Sequence, residues 1–560
     1  MMSGFLSAGD GGDRRDGSGG VSGRVRWPIV LLVVMLCLAS GAVVGHMRSS
    51  SSVGLRIVER VVAPAALERA RGYRPVGEVA VPGRRRQDHV VRTVRSGGAD
   101  RYVCWTSAST PLKTILTIPG AVVDGVRGPS VSVSITLRSR PAVIWGTPSV
   151  TAAGVVHALA NGLVAGGVED NTPRFNLILR LLPSAVAVTV SFPKGRFAFT
   201  GVVRMRSDTT VVGRRDETDV QLPAHRRGDL VVWYPTGGAR GYGGMHDVTW
   251  RNVVFRGDYS SALLPTQTIF ESIIHASHII FDHCVFDMVQ RPHGHLLDVD
   301  GSTDVTVRYS TVIGSPSRGQ TFKEAFQMDV AALGAQGYRD RSTVFDDTPT
   351  SHMTIEHCRF LPLRDSHGRL LLPAAAPFGT HMAYARTTAD ASYIHDGVFR
   401  DNYVEDPVFY EGAGSENSAV IHFDAAEDIT ITGNTFVWTA GSGQPSWAVA
   451  LYSRSHRMVK PGRWHGVVIT DNVFRGFAPR LGVFDLYRES DSATDPGRSV
   501  SGIVVRGNRF EGTPLRLALG WLRHYPMTFI VTHDQTIRGS DDVVDGTIHL
   551  DGTSSKVGRS

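Results

Sequence analysis

The sequence predicts an all-β solenoid, a coil of parallel strands stacked rung upon rung. The first observation behind this is a repeat. Eight segments can be written under one another: VTWRNVVF (248–255), IIFDHCVF (279–286), VTVRYSTV (305–312), MTIEHCRF (353–360), GVFRDNYV (397–404), ITITGNTF (429–436), VVITDNVF (467–474) and IVVRGNRF (503–510). Each alternates apolar and polar residues, passes a polar two-residue turn, and closes on a small or amide residue followed by an apolar one. Their ends fall 26 to 48 residues apart, too uneven for propeller blades but suited to rungs carrying loops of different length. One column of the repeat reads Val253, Cys284, Ser310, Cys358, Asn402, Asn434, Asn472, Asn508. Amides stacked at roughly 4.8 Å hydrogen-bond up and down such a pile. The 61 Gly against 12 Met and 9 Trp in 560 residues also favour a turn-rich β protein.

Taken in order, residues 1–27 form a Gly-, Ser- and Asp-rich leader containing Arg14, Arg15, Arg24 and Arg26. Residues 28–45, PIVLLVVMLCLASGAVVG, carry no charge over eighteen residues. That length is at the lower bound for a bilayer span and exceeds a comfortable signal-peptide apolar core. The expectation is a single-pass membrane anchor with the body outside, the alternative being secretion after cleavage near Ser40-Gly41-Ala42. Residues 46–95, with Arg84-Arg85-Arg86 in the middle, read as an Arg/Ser/Pro-rich linker. Residues 96–150 form a small β-rich region, with SVSVSITLRS at 130–139. The coil is expected over 151–535, opened by a helix at 152–163 (AAGVVHALANGL), where apolar residues recur at three-to-four spacing. Residues 515–531 read as a cap over the coil's open end, and 536–560 as a tail.

The formal charge of +7 is not a property of the whole chain. Residues 1–100 hold 15 Lys+Arg and 8 Asp+Glu, and the remaining 460 hold 44 of each. A neutral body removes the main support for a nucleic-acid partner and leaves the basic leader to the membrane. Cys37, Cys104, Cys284 and Cys358 make neither a disulfide framework nor a CxxC metal pair. Cys284 and Cys358 fall in the Asn column and are expected as buried small residues. His283 and His357, just before them, are expected as turn residues.

From about 148 to 510 the chain resembles the pectate-lyase-like superfamily of right-handed parallel β-helices. The resemblance is carried by the helical run before the coil, by Phe192-Pro193-Lys194-Gly195, by SDTTVVG (207–213) and by the stacked "I.I..N.F" rungs. Residues 295–302 followed by 323–330 are similar to a pair of rungs in bacterial members. The resemblance implies a single-stranded right-handed parallel β-helix with an N-terminal capping helix, and a carbohydrate partner. It does not carry over one activity. The NTD, DD, GHG and RIK elements of polygalacturonase-like hydrolases are not found in order, Asp541-Asp542 lying far past the last clear rung, and the WxDH-type rung of calcium pectate lyases is lacking.

A second strand precedes each repeat segment: IFESII (269–274), HLLDVD (295–300), AFQMDV (325–330), VIHFDA (420–425), AVALYS (448–453) and VFDLYR (483–488). If Leu297/Val299, Phe326/Met328, Ile421/Phe423, Val449/Leu451 and Phe484/Leu486 fill the coil, their neighbours point outward. Asp298, Asp300, Asp329 and His422 are the candidate catalytic groups, because carboxylates on adjacent rungs, about 5 Å apart, raise one another's pKa and supply a general acid. Gln327, Lys323, Asp424, Tyr452, Asp485 and Tyr487 are candidate substrate contacts. The same carboxylates suit Ca²⁺, a hard ion that takes several oxygens; Arg291, Lys323 and Arg339 are then within loop reach as a base. Two functions follow. One is a cell-surface enzyme cleaving a polysaccharide by acid/base hydrolysis or calcium-assisted β-elimination. The other is a non-catalytic glycan-binding or adhesion solenoid, in which the outward acids are only a solvated face.

Overall fold

In the computed structural model, described residues run from 72 to 545, apart from 224–225, 259–266, 292–293, 317–323, 335–336, 381–392, 410–418, 425, 440–442, 455–462, 479–483, 490–498, 502, 512–529, 534–535 and 539–542. Three long sheets make a coil. Among the described residues, sheet I has nine strands, from Gly201–Arg204 to Phe484–Glu489; sheet II has twelve, from Val155–His157 to Ile530–His533; sheet III has twelve, from Gly195–Ala198 to Val543–Asp545, the last of them antiparallel to Thr536–Arg538. One rung visits each sheet once, as in Gln267–Ile274, Ser277–Asp282 and Val285–Asp287. Each strand then pairs in parallel with its counterpart in the next rung. Parallel strands joined by same-sense crossovers wind right-handed, so the fold is a right-handed parallel β-helix.

Alternation fills the coil. Leu297, Val299, Phe326, Met328, Ile421, Phe423 and Val449 all lie in one continuous buried core with the sheet II and III residues, as the strand period requires. The corner between sheets II and III is built by the column read from the sequence. Asn402, Asn434 and Asn472 each accept, on Oδ1, the backbone N–H of the previous rung's column residue, at 2.8, 2.9 and 3.0 Å. Ser310 does the same for Cys284 at 3.0 Å. The residue before each column position takes positive φ (Asn252, His283, Tyr309, His357, Asp401, Asp471), the region Asn, Asp and His tolerate best. Cys284 and Cys358 are buried free thiols, and burial pushes both up to about 12.

Four expectations need correction. The helix is not at 152–163: Gly154 takes φ +71, Val155–His157 is the first strand of sheet II, and Gly162 at φ +87 ends a 3₁₀ turn. The α-helix is Thr172–Leu181, started with Pro173 and followed by Pro183. Its Phe175, Ile178 and Leu179 enter the coil's core, and Leu181 enters a smaller core shared with Val90, Tyr102, Leu116 and Ile135. Second, the stretch expected as linker contains strands Arg74–Glu78 and Asp88–Val94, which pair antiparallel with Arg101–Thr106 and, beyond it, Ala142–Trp145. Third, the coil continues into the expected tail, with Thr536–Arg538 extending sheet III. Fourth, the membrane location is withdrawn: among the described residues no helix is long and apolar enough to cross a membrane. Residues 28–45 and most of 515–531 lie outside the described residues.

Candidate functional site

Sheet I presents its outward residues in rows along the coil. Ser272, Asp298, Gln327, Gly379 and His422 are in one row, and Asp300 and Asp329 are neighbours in the next. The outward direction follows from strand alternation, and the sequence left open whether this face is enclosed or solvated. Asp300, Asp329 and Ser272 are 0 % exposed, and Asp298, Gln327 and His422 at most 2 %. This face is no solvated strip.

Loops roof it. Gly337 donates its N–H to Asp298 Oδ2 at 2.7 Å, and Ser272 donates to the Tyr338 carbonyl at 3.0 Å. Tyr338 packs edge-on against Trp233. The roof is fastened further along by His275, buried with Nδ1 2.7 Å from the Gly241 carbonyl and Nε2 2.8 Å from that of Val344. Tyr242 adds a hydroxyl bond to the Pro349 carbonyl at 2.9 Å.

Within the enclosure the acids are treated differently. Asp329 accepts hydrogen bonds from the Thr380 hydroxyl and the Gln327 amide, donors that suit a carboxylate. Asp300 accepts none from any described residue on either oxygen. Burial, then the charges of Asp298 and Asp329, push its carboxyl well above the usual range, which favours the protonated form.

His422 belongs to a second part of the same enclosure. Its Nδ1 lies 3.0 Å from Glu324 Oε1, both side chains being buried, and His295 Nδ1 is 3.0 Å from the Glu324 carbonyl. Glu324 reaches His422 because Gly379 has no side chain: a Cβ there would stand 2.8 Å from Glu324 Cγ. His422 is two rungs, roughly 10 Å, from Gln327, so it is not beside Asp300. Neither Glu324 nor Thr380 is among the residues singled out from the sequence. The available signal was the polar residue directly before AFQMDV and the Gly-Thr pair aligned with Gln327. Backbone register sets Asp424, Tyr452 and Tyr487 in one row, and Asp485 in the row of His422. Lys323 lies outside the described residues. Arg291 faces Asp229 and Phe270, and Arg339 faces Phe345.

The donor set of Asp298, Asp300, Asp329 and Gln327 is all oxygen, with Gln327 Oε1 accepting from no described residue, and it fits a hard cation such as Ca²⁺. A different group, Asp208, His246 and Asp247, brings its ligand atoms within 4.8 Å of one another. Both of its Asp residues hold positive φ, so the corner turn already accounts for their identity. An open groove of about 500 Å³ lies on sheet II, between Asp304, His352, Asp396 and Asp428 on one side and Thr354 and Thr430 on the other.

The fold and this enclosure define a parallel β-helix protein with a buried acid cluster on one sheet. No family model matches the chain, and no curated protein does. Solved structures do. The Streptococcus pneumoniae surface protein and adhesin PfbA shares 16% identity over 68% of this chain and 91% of its own, with a TM-score of 0.48. The A-module of the Azotobacter vinelandii mannuronan C-5 epimerase AlgE4 shares 11% over 72% and 99%, at 0.42. The endo-xylogalacturonan hydrolase of Aspergillus tubingensis shares 12% over 72% and 98%, at 0.41. Polysaccharide hydrolases and an adhesin thus stand among the neighbours, and at these values the likeness carries no argument about activity.

Proposed function

We propose that this chain is a carbohydrate-active enzyme that cleaves a polysaccharide, with Asp300 as proton donor and Asp329 as its carboxylate partner. The observation that carries this reading is Asp300: a fully buried carboxyl with no hydrogen bond on either oxygen, next to a carboxylate that has two donors. Folding alone gives no reason to keep such a group, and acid/base catalysis does. Neighbouring rungs set the two about 5 Å apart, the separation of retaining glycoside hydrolysis. Asp300 gives its proton to the glycosidic oxygen as that C–O bond breaks, and Asp329 bonds to the sugar carbon. Water then displaces Asp329, losing its proton to Asp300. Asp298 holds Gly337 of the roof, so substrate entry requires that contact to open. In the alternative of calcium-assisted elimination, Ca²⁺ held by Asp298, Asp300, Asp329 and Gln327 would require Asp300 to be ionised and would supply positive charge for an acidic sugar in place of its proton.

The test is digestion of plant, mucin and bacterial glycans by the full chain, with and without calcium, scoring new reducing ends and unsaturated products separately. Asp300→Asn and Asp329→Asn are each expected to lower product release by roughly 10²–10⁴-fold. Full activity in both variants would remove the assignment, and unsaturated products would mean elimination in place of hydrolysis. A non-catalytic glycan-binding solenoid is the second reading, favoured by the open groove on sheet II. Retention of a glycan without product, unaffected by either substitution, would select it.

A further inference from the structure

Away from the acid cluster, the seam between the N-terminal strands and the start of the coil contains a buried cation that forms no ion pair with any described residue. Arg174, on the α-helix, is 7 % exposed. Its Nε donates to the Asn161 carbonyl at 2.6 Å and its Nη1 to that of Gly146 at 2.9 Å. Its Nη2 is buried and meets no acceptor among the described residues. Neutral carbonyls orient a guanidinium but do not balance its charge, and burial pulls Arg174 down to about 9. The carboxylate whose charge it feels, Asp100, is already gripped by Arg92 through Nε at 2.9 Å and Nη2 at 2.6 Å.

More positive charge and a second orphan donor stand beside it. The Arg101 guanidinium lies 4.0 Å from the Trp145 ring centre and 4.1 Å from that of Tyr73, and Arg95 lies 5.3 Å from Tyr73. Arg174 is 5.4 Å from the same indole. A ring contact at that distance does not replace an anionic partner for Arg174. The Tyr73 ring is 1 % exposed, and its hydroxyl has no described partner. Gly98 leaves room here: a Cβ there would stand 3.2 Å from Arg95 Nε and 3.4 Å from the Tyr73 hydroxyl. Buried charges are normally paired, and buried hydroxyls normally bonded. Two unsatisfied donors among three arginines therefore ask for one thing, an acceptor carrying negative charge.

We propose that the seam formed by Tyr73, Trp145 and Arg174 binds a small oxyanion, taken by Arg174 Nη2 and the Tyr73 hydroxyl. Sulfate or phosphate as a free ion and the carboxylate of an acidic sugar share this chemistry. The site is independent of the acids on sheet I, so its failure and theirs are separable.

Thermal unfolding of the full chain tests it, with sulfate, phosphate or glucuronate titrated at constant ionic strength. A saturable rise in Tm is expected. Tyr73→Phe, which keeps the ring and removes the hydroxyl, is expected to weaken the apparent affinity by about tenfold, and Arg174→Met to abolish the response. A response to glucuronate but not to the inorganic ions would identify the anion as a sugar carboxylate; a response to the inorganic ions alone would identify a free ion. Equal responses in the wild type and Tyr73→Phe, or no response in the wild type, would overturn the proposal. Should Arg174→Met fail to fold, Tyr73→Phe alone decides.

Discussion

Asp300 and Asp329 are paired neighbours in sheet I, yet only one of them is given hydrogen-bond donors. Thr380 and Gln327 both reach Asp329, while no described residue reaches Asp300. Two carboxyls of equal burial are thereby given opposite surroundings, one with donors that suit a carboxylate and one without.

The first prediction concerns stability. The folded-state pKa of Asp300 is raised, so the stability it contributes is complete below its unfolded value, roughly 3.9, and is lost as pH rises toward the folded one. Asp300→Asn should therefore raise Tm at pH 7 and make little difference at pH 4, while abolishing activity. Thermal unfolding across pH checks this; a lower Tm for the variant at pH 7 would contradict it.

Glu271 obeys the same sign inside the coil. It is fully buried, with burial raising its pKa far above the ordinary range. Its Oε2 accepts from Tyr234 at 3.0 Å, and Trp250 Nε1 donates to the Tyr234 hydroxyl at 3.1 Å. Tyr234→Phe leaves both without that partner and should cost about 1–3 kcal/mol. Glu271→Gln keeps an acceptor and removes the titration, so its advantage over the wild type should grow with pH. Denaturant unfolding of both variants reads this.

Removing the Glu324–His422 contact without touching either residue is possible through Gly379. Gly379→Ala would press a methyl group to within 2.8 Å of Glu324 Cγ and 2.6 Å of the His422 carbonyl. If the pair belongs to the working site, activity should fall as far as in Glu324→Gln; wild-type turnover in both would exclude it.

The amide column gives a stability prediction. Asn434 accepts from the Asn402 backbone and side chain, and donates to the Phe399 carbonyl at 2.8 Å. Asn434→Ala should cost roughly 2–4 kcal/mol, the sum of two or more orphaned buried groups. Asn434→Ser should recover part of it, because Ser310 already serves Cys284 in that way.

Cys284 and Cys358, with thiols near 12, should resist alkylation at pH 8 in the native protein and react once it is unfolded. Mass spectrometry of iodoacetamide-treated protein reads this directly.

The coil was legible because its signals are local. Period-two alternation at Leu297/Val299 or Phe326/Met328 decides which face enters the core, and the column from Cys284 to Asn508 marks where each rung turns. The helix was misplaced for an equally local reason. The spacing in AAGVVHALANGL imitates a helix, but Gly154 and the β-branched Val155-Val156 are drawn into sheet II by pairing with Thr189-Val190, a contact that spacing does not encode.

By itself the sequence determined the β-helix, the inward and outward faces of sheet I, and the presence of Asp298, Asp300 and Asp329 on the outward one. Only the tertiary structure decided what surrounds them. Burial depends on Gly337 and Tyr338, which arrive from a loop distant in sequence, and the Glu324–His422 contact depends on an empty position at Gly379 in another rung. Alternation along a strand fixes direction. Whether that direction leads to water or beneath a roof depends on chain that is distant in sequence, and that contact decides between a solvated stripe and an enclosed acid cluster.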